Sequence, residues 1–168
     1  MTGWVALLRA VNVGGMKVLM EDLRALAKAE GFAGARTYIA SGNLVLSSAL
    51  DEAAIRERLE GALERRYGKR VPVLVRNAVE MADVAARNPF ADAPGNRVVA
   101  IFCDGPIETD GIRGDVNGEV VKAGKREFFV HYPNMQGTSK LVIPAAKDGT
   151  ARNINTVAKL AVMAAEAS

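Results

Sequence analysis

The stretch RTYIASGNLVLSS, residues 36–48, decides the fold. It reads as two β-segments meeting at Ser41-Gly42-Asn43, where glycine and asparagine permit the backbone reversal of a tight turn or a kinked strand. Upstream, WVALLRAV is a short apolar run ending in polar residues and glycine, the pattern of a buried strand. Between the two, Leu19, Leu23, Leu26 and Ala27 fall on one helical face, and Gly31 stands where that helix would stop. Downstream, Ile55, Leu59, Ala62 and Leu63 form the apolar stripe of a helix over residues 51–67, which Gly68 ends. VPVLVRN then supplies a further β-branched strand. The order β-α-β-β-α-β over residues 1–77 predicts an α+β fold with a ferredoxin-like first subdomain, its helices on one face of an antiparallel sheet.

Residues 78–168 are expected to form a smaller α+β subdomain. Asn77, with Glu80 three residues on, is a capping signature for a helix ending near Asn88-Pro89. RVVAIFCD reads as a strand, and GEVVKAG with REFFVHYP as a hairpin turning near Gly124-Lys125. Residues 134–153 read as a polar loop interrupted by Pro144. A final helix from about Asn153 would bury Ile154, Val157, Leu160, Ala161 and Ala164. No repeat at a fixed period is discernible.

Composition narrows the function classes. Twenty-two basic against nineteen acidic side chains leave a net charge of +3, too small to argue for nucleic acid without clustering. Most charges alternate in sign along helical stretches such as DEAAIRERLEGALERR and read as solvated faces. Cys103 is the only cysteine, which excludes an internal disulfide, and its apolar setting reads as an inert core thiol. His131 is the only histidine, so paired-histidine metal sites are excluded, and no metal or cofactor is expected. In FFVHYP it reads as a half-buried strand residue. No apolar run reaches about 18 residues and no leader is seen, so a cytoplasmic protein without a membrane partner is the expectation.

The familiar catalytic motifs are missing. NVGGMK lacks the spacing of a phosphate loop, and neither G-x-G-x-x-G nor G-x-S-x-G occurs. What remains is a set of polar and glycine residues at element ends. Arg9, Asn12, Gly14 and Gly15 follow the first strand, and Ser41, Gly42 and Asn43 mark the strand junction. Ser139 and Lys140 follow the hairpin, while Thr150, Arg152, Asn153 and Thr156 surround the start of the last helix. A helix start with adjacent basic residues suits a phosphate or carboxylate. The same residues also serve as an ordinary cap, and Gly14-Gly15 as an ordinary turn.

These segments resemble the bacterial domain-of-unknown-function 1697 family. The resemblance rests on LLRAVNVGG, TYIASGNLVL, NPF at Asn88–Phe90, GTSKL at Gly137–Leu141 and TARNINTVAKL at Thr150–Leu160. Ala10 departs from the family's usual glycine, Val11 from its isoleucine, and Ile154 stands where an aromatic is frequent. The resemblance implies an α+β fold with a ferredoxin-like first half and no particular activity. It also implies that the thirteen residues just named sit at shared motif positions. A signature serving packing alone would be mostly apolar, and this one is not.

Three readings follow. The first is a protein that binds a small anionic ligand, phosphate- or carboxylate-bearing and nucleotide-like in one form, at a polar site between the subdomains; turnover is left open. Arg9, Lys140 and Arg152 would neutralise charge, and substituting Arg152 or Lys140 by alanine should abolish binding with little loss of thermal stability. The second is an RNA-binding module, consistent with the ferredoxin-like order and a pI near 9.2 but short of strand aromatics. The third is a structural or interaction domain whose motif residues serve internal hydrogen bonds.

Overall fold

The computed structural model describes residues 1–12 and 16–168. The chain divides into two compact units, residues 1–83 with 159–168, and residues 84–158. The seam expected near Asn77 therefore falls at Asp83–Val84, and the last ten residues cluster with the first unit.

The first unit holds β1 (Thr2–Leu8), α1 (Met20–Ala29), β2 (Ala33–Thr37), β3 (Asn43–Ser48), α2 (Glu52–Tyr67) and β4 (Val73–Asn77). The antiparallel sheet has the order β2-β3-β1-β4, the arrangement expected of a ferredoxin-like unit. Period-two alternation sends Trp4, Ala6 and Leu8 toward the helices, where they pack with Leu44, Leu46, Val73 and Val75 against Leu23, Ala27, Ile55, Leu59 and Leu63. Asp51 caps α2 through Ala54 N–H at 2.9 Å, and Gly68 closes that helix at φ 71°. Leu19 does not join the core. It is the residue before α1 and is exposed, while Val18 takes the buried place.

The opposite face of this sheet is also buried. Val5, Leu7, Val45, Leu74 and Arg76 are each at most 1% exposed. The chain's C-terminal segment reaches the same strands: Gly3 N–H donates to Ser168 Oγ at 3.0 Å, and Ser47 Oγ donates to Ala167 O.

The second unit carries the sheet β6-β7-β5-β8, built from β5 (Val98–Phe102), β6 (Val120–Ala123), β7 (Glu127–His131) and β8 (Thr150–Asn153). One face packs Val99, Cys103, Phe128, Val130 and Tyr132 beneath Leu141, Ile143 and the segment around Ile107–Ile112. The polar stretch read as loop up to Asn153 thus ends in an edge strand. Helix α3 (Ala78–Ala86) follows β4, and α4 (Ile154–Glu166) follows β8; the division between units passes through each of these two helices. No helix among the described residues is long and apolar enough to cross a membrane.

Candidate functional site

Two loops meet at one end of the first sheet. Leu8 N–H donates to Gly42 O at 2.9 Å, and Arg9 N–H donates to Pro72 O at 3.0 Å, so the end of β1 is tied on both sides. The chain then turns through left-handed backbone at Ala10 (φ 58°) and Asn12 (φ 59°). The Asn12 amide locks that turn. Its Oδ1 accepts from Val18 N–H at 2.8 Å, while its Nδ2 donates to Val18 O at 2.9 Å and to Ala40 O at 2.7 Å. The last bond joins the β1–α1 loop to the β2–β3 turn. In that turn Ile39 is also left-handed (φ 51°), an outlier for a β-branched residue. Asn43 is fully buried and donates to Tyr38 O at 3.0 Å and Ser41 Oγ at 2.7 Å.

Arg9, Asn12, Ser41, Gly42 and Asn43 are therefore brought together in one loop cluster. Gly14 and Gly15 lie outside the described residues. Asn12 and Asn43 spend their amides on backbone and hydroxyl partners within the cluster, which makes them holders of the loop shape.

The candidates of the second unit are divided by its sheet. Arg152 pairs with Ala100 in register and shares a face with Phe129 and Glu127. It is buried, donates to Thr150 Oγ1 at 2.6 Å and Ala151 O at 2.9 Å, and burial lowers its pKa to about 10. At neutral pH it remains a guanidinium cation. Asn153 caps α4, accepting from Thr156 N–H at 2.9 Å, with the Thr156 side chain buried. Ser139 lies with the segment covering the other face, where its Oγ donates to Glu119 Oε1 at 3.2 Å and accepts from Leu141 N–H at 3.2 Å. Lys140 is exposed beside it.

A family model described as protein of unknown function, DUF1697, matches residues 1–129. The chain belongs to the DUF1697 family. In this DUF1697 protein the segments 137–141 and 150–160 lie beyond the matched span. Among solved structures, a conserved bacterial protein, SP0830 from Streptococcus pneumoniae, is similar at 23% identity and TM-score 0.77, covering 98% of this chain and 99% of its own. That likeness shows the fold. No curated protein matches the chain.

Two polar features of this DUF1697 chain escaped the motif reading: the likeness of its two strand-to-helix junctions and the Arg87–Glu127 pair. The two strand-to-helix junctions are built alike. Arg76-Asn77 opens α3 as Arg152-Asn153 opens α4: each arginine is buried and donates to the preceding carbonyl at 2.9 Å, and each asparagine accepts from the N–H three residues on. The shared Arg-Asn pair was the available signal. Arg87 pairs with the buried Glu127 and lies 5.8 Å over the Phe129 ring, which no spacing rule would join.

Two clefts of about 310 and 410 Å³ lie along α1, lined in one by Arg24, Lys28 and Phe32 and in the other by Asp22, Glu30, Arg65 and Arg66. None of the candidate residues lines either one. No group of three or more metal-ligating side chains exists among the described residues. The first sheet also offers no exposed aromatic platform for unstacked bases, since Trp4 faces the helix side and the opposite face is buried.

Two phenols titrate above their usual value of 10.0. Burial is the leading cause at both. Glu119 adds to it at Tyr132; at Tyr67 Arg66 opposes it and Asp22 adds to it. The folded chain keeps protons there that the unfolded chain releases, so stability should fall as pH rises past 10. Urea unfolding of a Tyr67→Phe/Tyr132→Phe chain between about pH 9 and pH 11 should show a shallower fall than the natural chain. Equal slopes would place the alkaline loss in other groups.

Proposed function

We propose that this DUF1697 protein binds a small anionic ligand, phosphate- or carboxylate-bearing, at the loop cluster of the first unit. The observation that carries this reading is the backbone: Ala10, Asn12 and Ile39, none of them glycine, all hold left-handed angles within two linked loops. Such conformations cost roughly 1–2 kcal/mol per residue and persist only where the surroundings impose them. The Asn12 clamp does the imposing. Turns of alternating hand direct backbone N–H groups to one side, a concavity that accepts anions; Leu8, Arg9 and Asn12 N–H donate within the protein, so the groups proposed to meet the anion are those of Ala10 and Val11. Arg9, half-buried at the end of β1, brings a cation to the same loop.

A second reading is favoured by the internal bonding of Asn12 and Asn43: a structural or interaction domain whose signature residues only set loop shape. Titration of the ¹⁵N-labelled chain with inorganic phosphate and with citrate separates the two. On the first reading, amides at 8–12 and 39–43 shift, and Arg9→Ala removes the response with a stability change within about 0.5 kcal/mol. Amides that ignore both anions, with Arg9→Ala losing stability as a core variant would, leave the second reading standing.

A further inference from the structure

We propose that the second unit carries a separate binding site for an uncharged heterocycle of purine size, where Arg97 and Tyr132 face the turn that follows β7. A cavity of about 300 Å³ lies there, lined by Asn96, Arg97, Tyr132, Asn134, Met135 and Gln136 among others. None of these residues belongs to the loop cluster of the first unit, so the site does not depend on the anion-binding reading.

The strand register builds its floor. Val98 pairs with His131, and one step further Tyr132 N–H donates to Arg97 O at 2.8 Å. Residues opposite each other in an antiparallel pair point to one face, with Cβ atoms about 5 Å apart. Phenol and guanidinium therefore enter the cavity as neighbours. Arg97 is fixed by donating to Asn134 O at 2.8 Å, and Asn134 Nδ2 is itself held by Asn117 O at 2.8 Å.

Tyr132 supplies the cavity with a hydroxyl donor. It is only 8% exposed, it lines the cavity, and its hydroxyl has no hydrogen-bond partner among the described residues. The hydroxyl is not sealed from solvent, so it opens on the cavity and is available there to an incoming group. Burial and the neighbouring Glu119 keep the phenol protonated, and it acts as a donor.

Charge and shape choose the ligand class. Glu119 stands beside Tyr132 with one carboxylate oxygen accepting from Asn117 N–H at 3.1 Å and the other from Ser139 Oγ. Glu119 lies outside the cavity lining, yet its negative charge beside Tyr132 weighs against the anion that Arg97 alone would draw, which favours an uncharged molecule. The amides of Asn96 and Gln136 offer donor and acceptor side by side, the pairing that reads a nucleobase edge. Met135, exposed at the rim, presents a polarisable thioether suited to an aromatic face. The volume equals roughly ten waters, enough for one fused ring system. A sugar of that size would fill the space without using the thioether.

Titration of the full ¹⁵N-labelled chain with adenosine, and in parallel with methyl glucoside, tests this site. Adenosine should shift the amides of residues 96–97 and 132–137. Tyr132→Phe, which keeps the ring and deletes the hydroxyl, should weaken that binding by about fivefold. Gln136→Ala, on the exposed turn, should weaken it similarly with an unchanged melting temperature, so the test survives a poorly folding Tyr132 variant. The proposal falls if adenosine leaves these amides unmoved, if the glucoside shifts them in its place, or if both variants bind adenosine as the natural chain does.

Discussion

Alanine at Gly42 is expected to lower the stability of the chain by about 3 kcal/mol, through two costs of different origin. The first is conformational: Gly42 sits at φ 83°, and a side chain there costs on the order of 1 kcal/mol. The second is steric. An added Cβ would lie 2.7 Å from Val11 Cγ2 and 2.9 Å from Leu8 Cβ. Leu8 and Val11 are 1% and 3% exposed, so neither has room to yield. Overpacking of this kind typically costs about 1–3 kcal/mol. Gly31→Ala isolates the first cost, because Gly31 has φ 88° and nothing within 4 Å of the added carbon. Urea denaturation of both variants should show the Gly42 substitution losing two- to threefold more stability, by roughly that ratio of terms. Equal losses would mean that the loop cluster packs less tightly on β1 than these distances require. Displacement at Gly42 also reaches the candidate site directly, since Ser41 and Asn43 flank it and Leu8 bonds its carbonyl.

The first unit was legible because its signals are local. Alternating apolar strands, helical stripes at three- and four-residue spacing and glycine stops each act within a few residues, and together they left one sheet order to choose. The Asn77–Glu80 capping pair formed as read, with Glu80 N–H on Asn77 Oδ1 at 2.8 Å and Asn77 N–H on Glu80 Oε1 at 3.1 Å. β8 was illegible for the opposite reason. Thr150-Ala-Arg-Asn153 is four residues of mostly polar character, and its partner β5 lies some fifty residues earlier in the chain. Only long-range pairing makes it a strand. Asn12 stands out in the sequence as a ligand group from its place after the first strand, and spacing cannot show that its amide reaches Val18 and Ala40. The Tyr132 cavity had no sequence signal at all, because it depends on a cross-strand pair and a turn that become adjacent only in the folded unit.

Lys140 and Arg152 are where sequence reasoning treats alike two residues that the fold separates. Both are basic residues in one polar segment, and both substitutions to alanine were expected to cost binding while sparing stability. The structure predicts a stability difference instead. Lys140 is exposed, and its truncation should change stability by no more than about 0.5 kcal/mol. Arg152 is 7% exposed, with its stem packed on the face that holds Ala100 and Phe129 and its guanidinium bonded to Thr150 Oγ1 and Ala151 O. Truncation there removes buried methylenes, leaves a cavity and strips Thr150 of a partner, a loss of about 3 kcal/mol. Burying the charge offsets part of what the stem contributes, as the lowered pKa shows. Arg152→Met, which keeps the stem without the charge, should therefore lose clearly less than Arg152→Ala. Thermal and urea denaturation of the three variants checks the order. If Arg152→Ala were as stable as Lys140→Ala, the buried arginine would contribute nothing to the second unit, and a role in contacting ligand would become the better account of it.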